Sequence, residues 1–187
     1  MPGPERSDGN PAAVSAAEAR AQVEAQREAR RAEKQRRLDE AFPGVLPGRW
    51  IIRASWLATA LQSAVSALAV VDPDRFLGVF FGVTMALFLL GSVLFVVDIV
   101  LAAARSTTDA MGIGGLFFLA GSAPRAAAVP LNASLGVVVA VAVAAALAGL
   151  SSPELAFGTL SPMLQLSLSG LWGVRHGLFE PRGDADG

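Results

Sequence analysis

The chain has 187 residues with no cysteine, no tyrosine and one histidine, and its 15 basic and 16 acidic side chains leave a net charge of −1. These counts exclude disulfides, thiolate chemistry and cysteine metal centres, leave few acid, base or nucleophile candidates, and supply no global positive charge for nucleic acid. At 53% hydrophobic and 17% charged residues the chain is more apolar than an ordinary soluble domain, and the apolar excess follows residue 49.

Residues 1–14 are rich in Pro, Gly and small polar residues and are expected to be disordered. Ser15 followed by Glu18 fits a capping box, and the strong helix formers after it predict a charged helix over residues 15–41. Glu28 with Arg31, and Glu33 with Arg36 and Arg37, sit at spacings that support a solvated helix. Val14, Val23 and Leu38 keep no heptad register, which argues against a coiled coil. Arg27, Arg30, Arg31, Lys34, Arg36 and Arg37 cluster on this arm. It therefore reads either as a solvated charged helix or as a docking arm for a cytoplasmic partner or for lipid headgroups.

Four membrane spans are expected within residues 50–179, over 50–71, 76–104, 131–150 and 155–174. Within the second, Phe76 to Val97 by itself is long enough to cross a hydrocarbon core of about 30 Å at 1.5 Å per residue without meeting a charge. The first carries a polar stripe, Ser55, Thr59, Ser63 and Ser66 with Gln62 beside it. Met111 to Pro124 is apolar but short and glycine-rich, and is expected to be interfacial or re-entrant. Pro162 is expected to kink the fourth span, and residues 180–187 to be disordered. Basic residues gather before the first span, in the middle loop and after the fourth, so the positive-inside rule predicts a multi-pass protein of the plasma (inner) membrane with both termini cytoplasmic.

Three constellations could carry function. Asp98 is a carboxylate inside an apolar span, and a centrally placed one costs about 2.5–3.5 kcal/mol to insert. An ion pair with Arg53, at similar depth in the first span, would offset that cost; proton or cation coupling is the alternative role. Gln62 and Gln165 fall at comparable depth, and with Ser161 and Ser169 they are expected to make interhelical polar contacts or to line a narrow polar path. Gly78 and Gly82, and Gly136, Ala140, Ala144 and Ala148, form small-residue rows expected to pack against helices. His176, beside Arg175, lies at a helix end and has no second ligand for a metal. No catalytic residue, cofactor site or metal site is expected.

Asp109 to Pro124 (DAMGIGGLFFLAGSAP), Phe157 to Met163 (FGTLSPM) and Gly170 to Gly177 (GLWGVRHG) resemble a group of small actinobacterial integral membrane proteins with four spans and no assigned activity. The resemblance covers the chain after Trp50 and implies a membrane location without implying a reaction.

The expected fold is all-α, a four-helix transmembrane bundle preceded by a charged cytoplasmic helix. The favoured function is that of a non-enzymatic accessory, scaffold or assembly component, with membrane lipids and other membrane subunits, or a second copy, as partners. The alternative is a small-solute or proton-coupled transporter using Asp98 and the polar stripes of the first and fourth spans.

Overall fold

The computed structural model describes residues 11–148 and 153–182. The expected disorder of residues 1–10 and 183–187, and the turn at Ser151 and Ser152, lie outside the described residues. The fold is all-α: α1 (Pro11–Ala41), α2 (Arg49–Val71), α3 (Pro73–Arg105), α4 (Ile113–Phe117), α5 (Arg125–Ala148) and α6 (Pro162–His176), with a 3-10 helix at Pro153–Leu160. Two short strands, β1 (Asp109–Ala110) and β2 (Glu180–Pro181), pair antiparallel, with Asp109 opposite Pro181. The arm helix starts at Pro11, four residues before Ser15, and residues 180 and 181 form a strand where disorder was expected.

Three helices, α2, α3 and α5, are long and apolar enough to cross a membrane, and the chain is a membrane protein. Their large apolar side chains point both ways. Leu57, Leu89, Val93, Val96, Val100, Val139 and Leu147 are exposed on the outside, where lipid tails solvate them. The inward faces carry smaller and more polar residues, including Ser55, Thr59 and Gln62 of α2. The turn between α2 and α3 is a single residue, Asp72, whose Oδ1 accepts the Arg75 N–H at 3.3 Å, with Pro73 opening α3. A missing N–H costs nothing in a first helical turn, so the chain reverses without losing a bond.

The fourth segment departs from an uninterrupted, kinked span. It divides at Ser161 into the 3-10 helix and a 15-residue α6. At 1.5 Å per residue α6 covers about 22 Å, less than a hydrocarbon core. The break follows from Pro162, which has no N–H to continue the preceding turn. Nearly every residue from Ser167 to Val174 is buried, so α6 is the axis of the bundle, enclosed by α2, α3, α4 and α5.

Backbones come into close contact where α3 and α6 touch. A Cβ placed on Gly91 would lie 2.5 Å from Leu164 N, and Ser167 Oγ donates to the Gly91 carbonyl at 2.7 Å. Gly78, Gly82 and Gly136, expected to pack, have nothing within 4 Å of a Cβ, and Ala140, Ala144 and Ala148 are exposed. Those rows face out of the bundle, because the inward positions of α5 are Leu131, Ser134, Val138, Ala142 and Ala145.

Met111 to Pro124 folds as a short plug. α4 buries Leu116 and Phe117, and Leu119 adopts a left-handed φ of 57° that turns its side chain into the core. Asn132 Nδ2 holds the Phe118 carbonyl at 2.9 Å, and Ser122 Oγ bonds the Gly115 carbonyl. The plug sits against the last turns of α6, at the bundle end that also holds the α1–α2 linker and β2; that end is the arm end.

Candidate functional site in the bundle interior

The interior holds a polar ladder and an isolated carboxyl group. In the ladder, Ser55 Oγ and Ser134 Oγ are 2.6 Å apart, joining α2 to α5. Gln165 Nε2 donates to Thr59 Oγ1 at 3.3 Å, joining α6 to α2. Gln62 Nε2 donates to Thr84 Oγ1 at 3.1 Å, joining α2 to α3, and to Ser66 Oγ at 3.3 Å. The ladder thus ties α3, α5 and α6 to α2. Buried hydroxyls and amides need such partners, since no water reaches them in a hydrocarbon environment.

The two glutamines do not bond each other. Each reaches a threonine instead, because α6 crosses α2 at the level of Thr59, about one turn from Gln62. Ser161 and Ser169 make no interhelical bond either: Ser161 Oγ donates to the Gly158 carbonyl at 2.8 Å and Ser169 Oγ to that of Gln165 at 3.0 Å, within their own segment. Among the described residues Gln165 Oε1 accepts no hydrogen bond.

Asp98 is fully buried, and among the described residues both its carboxyl oxygens lack a hydrogen-bond partner. The Arg53–Asp98 ion pair does not form. Arg53 is exposed on the outer side of α2, whereas Asp98 faces α6 across from Gly170. A Cβ on Gly170 would lie 2.7 Å from Asp98 Oδ2 and 2.7 Å from the Phe117 ring. The glycine admits the α6 backbone to the space beside the carboxyl, and Phe117 of α4, stacked on Phe95 at 5.0 Å, covers the remaining side. The surroundings are apolar: Ala102, Leu116, Phe117 and Val174 form one buried cluster there.

The cation that matters at this end is Arg105, whose partners the sequence did not give. Its Nη1 donates to the Val174 carbonyl at 2.8 Å and its Nη2 to Gly177 at 2.9 Å, while Nε pairs with Asp109 at 2.7 Å. It therefore satisfies carbonyls at the C-terminus of α6, where positive charge is favoured. A signal for it was present: Thr84, Gly91, Asp98 and Arg105 recur every seven residues, which places the functional groups of α3 on one face.

A second clasp closes the arm end. Trp172 Nε1 donates to the Pro47 carbonyl at 3.0 Å, its ring lies 6.0 Å from Phe42 and 5.6 Å from His176, and a Cβ on Gly48 would come within 2.9 Å of the His176 ring. Gly48 has φ 67°, a left-handed conformation that glycine adopts without strain. Burial, followed by the Arg175 charge, lowers the pKa of His176 below its ordinary 6.5. Among the described residues no three His, Asp or Glu side chains converge as a metal site would require.

Comparison with protein-family models, with curated proteins and with solved structures finds no match to this chain.

Proposed function

We propose that this protein is a non-enzymatic accessory component of a membrane assembly, residing in the plasma (inner) membrane with both termini cytoplasmic. The observation that carries the reading is the outward direction of its small-residue rows. Gly136, Ala140, Ala144 and Ala148 lie exposed along α5, and beside them Ala67, Val70 and Ala144 line a shallow apolar groove between α2 and α5. In lipid, small residues gain little by facing acyl chains but let a second helix approach closely. The exposed arm adds a second surface, since residues 18–34 of α1 are all exposed. The ladder supports a structural role for the interior, its donors being engaged with one another. Purification from native membranes in mild detergent tests the reading. A stoichiometric membrane subunit, identified by mass, is expected with the intact chain and is lost when Ala140 and Ala144 are both changed to Leu. A lone monomer from both forms sinks it.

One observation favours a second reading, a proton-coupled transporter or transporter subunit: Asp98 is buried without a partner. That reading requires Asp98→Asn to abolish solute movement in proteoliposomes while the folded protein remains in the membrane. Unchanged movement, or no movement by the unaltered protein, removes it.

A further inference from the structure

The charges of α1 are sorted by face, a pattern that pairwise spacing in the sequence conceals. Of its seven basic residues, Arg20, Arg27, Arg30, Arg31, Lys34 and Arg37 fall in one arc about 120° wide at 3.6 residues per turn. None of its six acidic residues falls inside that arc: Glu24 and Glu33 border it, and Glu18, Glu28, Asp39 and Glu40 lie on other faces, as does Arg36. The basic arc also contains Leu38, and Leu38 is where the helix is anchored.

Leu38 is buried, Lys34 Nζ reaches Glu180 Oε1 at 3.2 Å, and a Cβ on Gly121 would lie 3.2 Å from the Lys34 stem. These contacts extend over more than a turn of α1, so the helix docks side-on against the arm end of the bundle. The 42–48 linker is held in turn by Trp172, and Trp50 begins the first span directly after it. From Lys34 back to Pro11 the rest of α1 runs on for about 35 Å beyond the contact, at 1.5 Å per residue. Along that stretch the basic arc is unpartnered: Arg20, Arg27, Arg30 and Arg31 form no ion pair among the described residues. Leu38 and Lys34, both in the basic arc, turn that arc toward the arm end of the bundle where α1 is anchored.

We propose that α1 lies along the membrane surface and that its Arg20–Arg27–Arg31 face binds the headgroups of anionic phospholipids, leaving its acidic faces toward water. The charge complementarity is specific to one face. Attraction of a cation to an anionic surface corresponds to about a fivefold population gain per side chain, and it is screened by salt. The inference is independent of any protein partner of the bundle.

The test is amide hydrogen exchange over residues 18–31 of the full chain in phosphatidylcholine nanodiscs with and without phosphatidylglycerol. Exchange is expected to slow severalfold in the anionic discs, and the difference to vanish at high salt. Changing Arg20, Arg27 and Arg31 together to Gln is expected to lower the surface-bound population by about 100-fold, at roughly fivefold per cation. Arg36→Gln, on another face, is expected to change it by less than the loss of any one of the three. Equal exchange in the two discs, whether slow or fast, overturns the proposal, as does an Arg36→Gln effect equal to that of the triple change. Slowing only on addition of a soluble acidic protein or a nucleic acid, and not of anionic lipid, overturns it too.

Discussion

Gly91 and Gly82 stand on the same helix and have opposite environments. At Gly91 a Cβ would meet the backbone of α6, whereas at Gly82 it would meet nothing. Spacing alone favoured Gly82, since Gly78 and Gly82 make a GxxxG and Gly91 has no glycine four residues away. The face decides the matter instead. Gly91 shares its row with Thr84, Asp98 and Arg105, and polar groups in a lipid-embedded helix turn inward because outside they would lack partners. A small residue on the polar row is a point of internal closure, and a small residue off it is open to another chain.

That contrast can be broken most forcefully at Gly91. Gly91→Ala is expected to cost about 3 kcal/mol, the upper part of the range for overpacking, because the atom met is backbone and cannot rotate away. Gly82→Ala should be neutral or stabilising by up to about 1 kcal/mol through helix propensity. Reversible unfolding of both variants in one detergent measures the difference, and equal costs would show that the two glycines share an environment. Next in size comes Arg105→Ala, which removes a charged donor from the Val174 and Gly177 carbonyls and from Asp109. A loss of about 2 kcal/mol is expected, at roughly 1.5–3 kcal/mol per charge-assisted bond with allowance for partial exposure. Arg105→Lys should recover only part of it, since an ammonium lacks the fork that reaches both carbonyls. Full recovery by lysine would mean that charge alone, without the fork, holds the end of α6.

Much of the architecture was legible because lipid leaves few choices. The three long apolar runs became α2, α3 and α5, and the inward face of α2 is the one marked by Ser55, Thr59, Gln62 and Ser66. Partners were not legible. Depth along a helix placed Arg53 level with Asp98 and Gln62 level with Gln165, but rotation about the helix axis put Arg53 outside and set each glutamine against a threonine. Rotation is a tertiary property, settled by where α6 enters the bundle, and α6 enters where Gly91, Gly170 and Gly173 have no side chains. The division of the fourth segment at Ser161 was equally hidden, since a proline in an apolar run reads as a kink whether or not the turn before it is α-helical. The sorted charge of α1 was in the sequence throughout. It became meaningful only when Leu38 proved to be the anchored position.

The smallest effect expected concerns the clasp around His176, which is half-buried where Gly91 is fully enclosed. Its pKa in the folded chain lies below 6.5, chiefly through burial and then through Arg175, so below pH 6.5 the unfolded chain binds more protons than the folded one. Stability therefore rises with pH through that window, is fully present above it and declines as the pH falls below 6.5. Melting of the purified protein at a series of pH values should show a shallow decline on the acid side, and His176→Phe, which retains a ring against Trp172 and Gly48, should flatten it. That substitution leaves every other titratable group in place, so an unaltered slope in His176→Phe would assign the decline to groups other than the imidazole and leave the ring as packing alone.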